Sequence, residues 1–130
     1  MVPAANDNGT GVVTLLALAH ALSANPTSNV RVMLVSTGSE ESFMEGMHAF
    51  SKRYFPTLPV ERTFILALDT VGSPHLTAVR GEGMLKMYDY PAPALELVDS
   101  LAEELDIRLF PNVRLRNASD GLYALKGGYP

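Results

Sequence analysis

Four carboxylates stand where a chain can present chemistry: Asp7 in "ANDNGTG", the adjacent Glu40 and Glu41 in "STGSEES", and Asp69 in "LALDTVGS". Acids grouped this way suit two tasks. One carboxylate can hold a divalent cation, while a neighbour takes a proton from a water molecule and returns it to a leaving group. The chain has no cysteine, so any ion would have to be held by carboxylate, histidine or water. The basic residues are scattered, and Arg114 with Arg116 is the nearest thing to a cluster. A cation is therefore the natural neutraliser of a set of acids.

Each acid taken alone has a plainer reading. Asp7 can form an Asx-turn or favour a helix N-terminus. Glu40 and Glu41 can be the solvated first turn of a helix. Asp69 is a common residue type for a turn after a strand. What sets the acids apart is their placement against the elements that must carry them.

Val12 to Leu22 is apolar nearly all round, with Leu15, Leu18, Ala19 and Leu22 at helical spacing. This predicts a buried helix that ends near Asn25-Pro26. Val30–Val35 predicts a short strand stopping at "STGS". Ser42 and Glu45 fit a capping box, followed by a helical stripe of Phe43, Met47, Phe50 and Tyr54 that Pro56 and Pro59 close. Thr63–Val71 is a nearly continuous apolar run, as expected of a strand covered on both faces. Gly72-Ser73-Pro74 predicts a turn, Leu76–Arg80 another short strand, and "GEG" at Gly81–Gly83 a further turn. Pro91 and Pro93 introduce a helix with Leu95, Val98, Ala102 and Leu105 on one face. A short helix started by Ser119 or Asp120 is expected over Asn117–Leu125.

Helices alternating with apolar strands indicate an α/β fold. The expected architecture is a three-layer sandwich, with a largely parallel or mixed central sheet between helices, and one domain over residues 1–130. Sites in such folds lie beyond the carboxyl ends of the strands. Glu40, Glu41 and Asp69 follow predicted strands, and Asp7 lies in the loop before the first helix.

Composition excludes several classes. A formal charge of −4 and a sequence pI of about 5.2 give nucleic acid no basic footprint. No segment reaches the length of a membrane helix, and no signal peptide pattern is visible. His20 and His48 fall inside predicted helices and His75 in a loop, without the HxxxH or HxH spacing of a zinc pair. Ser39 and Ser42 lack the GxSxG elbow of serine hydrolases. A nucleotide-binding domain is disfavoured because no glycine-rich phosphate loop follows a strand.

In series, these segments resemble the co-catalytic di-zinc aminopeptidases, metallopeptidase family twenty-eight. "ANDNGTGV" resembles the loop of the metal-bridging aspartate, and "TGSEESFMEG" the Glu-Glu motif. "LALDTVGSP" resembles the strand-end aspartate segment, and "NASDGLYALKGGYP" a Ser-Asp segment leading to Gly-x-Pro. The resemblance implies that Asp7 bridges two zinc ions, that Glu41 and Asp69 each ligate one of them, and that Glu40 is the general base and acid. It implies a peptide substrate cleaved at its N-terminal bond.

The chain also departs from the pattern. The family's two histidine ligands lie upstream of the bridging aspartate and downstream of Gly-x-Pro, and neither falls within these residues. Gly121 stands where histidine often follows Ser-Asp. The resemblance is thus to the central part of a peptidase domain. Such a part is expected to be inactive alone, with an incomplete sheet whose open edges invite self-association. It would hold no ion, or a hard divalent cation rather than two zinc ions. The alternative is a non-catalytic, peptidase-like binding or assembly module.

Overall fold

A computed structural model of the chain describes residues 4–130. The chain folds as two units. The first comprises residues up to Thr37 together with Leu68–Pro74, and the second comprises Gly38–Ala67 with His75–Pro130.

The first unit is built on helix α1, Gly9–Ala24. Asn8 caps its start, the side chain accepting from the Gly11 amide at 3.0 Å, and Asn25 closes it, as the Asn25-Pro26 signal predicts. The expected burial is not found. Val13 and Leu16 are about two-thirds exposed, and Gly11 alone is buried along the helix. Among the described residues of this unit, the helix is accompanied by the short loop before it, the 68–74 segment and an extended stretch after Pro26. A shallow groove lined by Ala19, Leu22, Pro26, Val32 and Leu34 runs between helix and stretch. Val30–Val35, expected as a strand, belongs to that stretch and takes part in no ladder. A β-propensity run becomes a strand only where a partner takes up its amides and carbonyls.

The second unit holds the rest of the secondary structure. Helix α2 spans Glu45–Tyr54 and is followed by single 3₁₀ turns at Phe55–Thr57 and Val60–Arg62. Strands β1 (Leu76–Thr77), β2 (Gly81–Glu82) and β3 (Tyr88–Asp89) precede helix α3, Ala92–Glu104. Strands β4 (Leu109–Phe110) and β5 (Arg114–Leu115) and helix α4 (Gly121–Lys126) complete it. β1 pairs parallel with β4, while β2 lies between antiparallel β3 and parallel β5. Parallel neighbours need a long crossover, and α3 lies in the connection of both parallel pairs. The fold is α/β with small parallel and mixed sheets, consistent with an incomplete α/β sandwich.

The core of this unit is Met44, Met47, Ala118, Leu122, Ala124 and Tyr129, with Phe50, Phe55, Ile65 and Tyr88 packed against it. Of the predicted stripe, Met47 and Phe50 therefore point inward as the spacing predicts, whereas Phe43 is exposed. The Tyr129 hydroxyl is shared between the carbonyls of Phe55 and Leu58 at 3.0 and 2.9 Å. This pins the last residues to the turn after α2.

Three further expectations need correction. Ser42 does not cap α2: the residue before the helix is Met44, in left-handed conformation and without a side-chain cap. Thr63–Val71 forms no ladder strand. It is divided between the two units, and in its first part Ile65 is half-buried while Phe64 and Leu66 face out. This is the alternation of an extended segment covered on one face rather than two. "GEG" is not a free turn either, because Gly81 and Glu82 are strand β2.

Candidate active site

In the first unit, Asp7 and Asp69 sit on two segments that asparagine side chains lace together. The Asn8 amide donates to the Leu68 carbonyl at 2.9 Å, and its Oδ1 accepts from the Gly11 and Thr70 amides at 3.0 and 3.2 Å. Asn6 Oδ1 accepts from the Gly72 amide at 3.0 Å, and its amide reaches Ser73 Oγ at 3.4 Å. Thr10 Oγ1 donates back to the Asn6 carbonyl at 2.7 Å. The two residues flanking Asp7 are thus bonded to the two sides of Asp69. Space for this comes from two glycines: a Cβ on Gly11 would lie 2.5 Å from Asn8 Oδ1, and one on Gly72 2.6 Å from Asn6 Oδ1.

Both acids are exposed. Asp69 accepts from the Thr70 hydroxyl at 2.8 Å, and Thr70 has a φ of 50°. Among the described residues the Asp7 carboxylate makes no hydrogen bond or ion pair. This removes part of the plain reading of Asp7. The side chain that caps α1 is Asn8, not Asp7.

In the second unit, Glu40 and Glu41 lie in the tight turn before α2. Ser39 accepts through its carbonyl from the Ser42 and Glu45 amides, each at 3.2 Å, and the Glu40 carbonyl accepts from Met44 at 2.7 Å. Ser39, Phe43 and Met44 have φ values of 57°, 62° and 58°. Left-handed conformations cost a non-glycine residue roughly 1–2 kcal/mol each, so the surrounding hydrogen bonds hold this turn against its local preference. Glu40 is half-buried and Glu41 exposed. The pair precedes the helix rather than forming its first turn, which sets aside the plainest reading of these acids.

The histidines stay outside both sets. His20 is exposed on α1, His48 stacks on Tyr123 with ring centroids 5.5 Å apart, and His75 lies 6.4 Å from the Phe110 ring.

A buried polar cluster in the second unit was not anticipated from the sequence. Glu82 is 1% exposed. It accepts from the Tyr90 hydroxyl, from the Ser119 amide at 2.6 Å and from Ser119 Oγ at 3.1 Å. Ser119 Oγ in turn accepts from Gly121 N at 3.1 Å. Burial, and then the hydrogen bond to Glu82, push the Tyr90 hydroxyl well above the usual tyrosine range. The available signal was a lone acid between two glycines, followed eight residues later by tyrosine and much later by "SD".

Asp7, Glu41 and Asp69 offer oxygen donors only. Catalytic zinc takes three protein ligands with nitrogen or sulfur usually among them, and among the described residues no three histidine, aspartate or glutamate side chains are gathered to hold an ion. As an all-oxygen set these acids would supply only part of a zinc site and do not make a complete one. No curated protein and no solved structure matches the chain. The family model for Peptidase family M28, however, matches residues 1–124, a span that takes in all four acids, both flanking asparagines and the Glu82 cluster. The chain belongs to peptidase family M28.

Proposed function

We propose that the protein is a metal-dependent aminopeptidase, hydrolysing the N-terminal bond of peptides with two zinc ions bound. Asp7 serves as the shared ligand, Glu41 and Asp69 as ligands to one ion each, and nitrogen donors outside this set complete the centre. Glu40 takes a proton from the attacking water and delivers it to the leaving amine. A positioned carboxylate contributes roughly 10²–10⁴ in rate by such a transfer. The observation that carries this reading is the family match across the acid-bearing segments. It is supported by the lacing of the Asp7 loop to the Asp69 segment.

The test is hydrolysis of aminoacyl anilides and short peptides by the full-length protein with zinc supplied. Glu40→Gln should reduce kcat by about 10²–10⁴, and metal analysis should find about two ions per chain. Full activity in the Glu40→Gln protein would remove the base role, and absence of bound metal would remove the two-ion reading.

A second reading, a non-catalytic peptidase-like binding or assembly module, is favoured by one observation: no three donors are gathered among the described residues. It predicts saturable peptide binding without turnover at any zinc concentration. Self-association, proposed through the open edges of an incomplete sheet, goes with either reading. The exposed Val13, Leu16 and Val30 side chains of the first unit are apolar surface that a second copy can cover.

A further inference from the structure

We infer that Asn6 and Asn8 are positioning residues, which set the Asp7 carboxylate against the Asp69 segment so that the two acids are presented to a cation together. The inference rests on the reading of Asp7 and Asp69 as ligands, and adds residues to which that reading gives no role.

The geometry is specific to the carboxamide. Asn8 uses its oxygen twice, toward Gly11 N and Thr70 N, and its nitrogen once, toward Leu68 O. Asn6 likewise accepts from Gly72 N and donates to Ser73 Oγ. Only a side chain with donor and acceptor at one end can make both kinds of contact. An aspartate at position 8 would set a carboxylate oxygen against the Leu68 carbonyl.

The contacts fall on both sides of each acid. Asn6 and Asn8 bracket Asp7, and their partners Leu68, Thr70, Gly72 and Ser73 bracket Asp69. Three of the four partners are bonded through the backbone, so the lacing fixes main chain rather than mobile side-chain tips. Asp7 itself is exposed and makes no hydrogen bond or ion pair among the described residues. Its neighbours, not a partner of its own, therefore fix the backbone that carries it. A plain helix cap would need the Asn8 contact to Gly11 alone; it needs neither the reach of Asn8 to Leu68 and Thr70 nor Asn6 at all.

The test compares Asn8→Ala, Asn6→Ala and Asp7→Asn in the full-length protein. Amide hydrogen exchange at Gly11, Thr70 and Gly72 and Mn²⁺ binding by calorimetry are the two readouts. Mn²⁺ is a hard ion suited to carboxylates. Asn8→Ala should speed exchange at Thr70, and Asn6→Ala at Gly72. Each should weaken Mn²⁺ binding by roughly 10–100-fold, the usual effect of losing a group that orients a ligand. Asp7→Asn should weaken Mn²⁺ binding while leaving Thr70 and Gly72 protected.

Unchanged exchange in both alanine variants overturns the lacing. Faster exchange with unchanged Mn²⁺ binding overturns the positioning role, provided Asp7→Asn weakens binding. If Asp7→Asn leaves Mn²⁺ binding intact, or the unaltered protein binds none, the ligand reading fails and the positioning role fails with it. Asn6→Ala keeps the α1 cap, so it gives an answer even if Asn8→Ala does not fold.

Discussion

The Glu82 carboxylate accepts a hydrogen bond from the Tyr90 hydroxyl inside the second unit, joining β2 to the residue that leads into α3. Through Ser119 the same carboxylate reaches the start of α4. One side chain thus ties together β2, the residue before α3 and the start of α4. Every partner is a donor, which is the arrangement an acceptor-only carboxylate satisfies.

Two substitutions test what this cluster contributes. In Glu82→Gln, one of the two oxygens becomes an NH₂ group, and both oxygens now receive donors. The NH₂ can face the Tyr90 and Ser119 hydroxyls only if they turn to accept, and the charge assistance of these bonds is lost, so unfolding in urea should show a loss of about 1–3 kcal/mol. Tyr90→Phe removes one bond to a charged group and should cost about 1.5–3 kcal/mol. The double variant should lose less than the sum, since both changes break the same contact. Additive losses would mean that the two residues stabilise the fold independently.

The same contact makes stability depend on pH at the alkaline end. Burial first, and the Glu82 bond second, raise the Tyr90 hydroxyl above its ordinary value of 10.0. The folded chain therefore holds this proton more tightly than the unfolded chain does. The resulting stabilisation is fully present below the ordinary value and is lost as the pH climbs from there toward the folded value. Urea midpoints of the unaltered chain should fall between about pH 10 and pH 12, the range where free tyrosine loses its proton. The Tyr90→Phe midpoint should fall less, so the gap between the two closes. A constant gap would show that Tyr90 does not lose its proton on unfolding in this range.

Legibility in the sequence followed the reach of each signal. Helix α1 is legible from its spacing and from Asn25-Pro26, which stops it, and α3 from its spacing and from Pro91 and Pro93, which introduce it, because helix bonds close within a few residues. Val30–Val35 and Thr63–Val71 have the composition of strands and form no ladder, because pairing depends on a partner that local composition cannot supply. "GEG" misled for the opposite reason. Its glycines suggest a turn, whereas Glu82 is buried by Tyr90 and by Ser119, 37 positions along. Among the site residues, the acids stood out by type. Asn6 and Asn8 did not, since an asparagine before a helix is an ordinary cap, and its second role is visible only once residues 68–73 lie beside it.

At the acid end, Arg80 and Asp99 form a two-pronged pair, with both nitrogen–oxygen distances at 2.8 Å. The hydrogen bonds from Arg80, against an opposing desolvation and with a smaller contribution from its charge, hold the Asp99 carboxyl below its usual value. A carboxyl depressed in the folded state stabilises the fold above its unfolded value, and that stabilisation disappears as the pH falls through the folded one. Asp99→Asn should therefore lower the melting temperature slightly at pH 7 and not at all in strong acid. Because the pair is solvated, raised salt should shrink the difference at pH 7. A difference that persists in strong acid would place the effect in packing instead of charge.

Gly11→Ala sets two opposing effects against each other in the first unit. Position 11 lies in the first turn of α1, where alanine is favoured over glycine by up to about 1 kcal/mol. Against that, the new methyl would lie 2.5 Å from Asn8 Oδ1 and 2.7 Å from both Asn8 Nδ2 and the Leu68 carbonyl. Overpacking of this kind costs about 1–3 kcal/mol. Here it also pushes apart the three hydrogen bonds of the Asn8 carboxamide, each worth roughly 0.5–1.5 kcal/mol net. The loss outweighs the gain, so Gly11→Ala should destabilise the chain despite its better helix propensity. Hydrogen exchange should locate the damage at Thr70 more than in the later turns of α1. Leu68 is bonded through its carbonyl, so its displacement should appear as a carbonyl chemical-shift change. Stabilisation by Gly11→Ala would mean that the Asn8 contacts yield easily and do not fix the loop that carries Asp7.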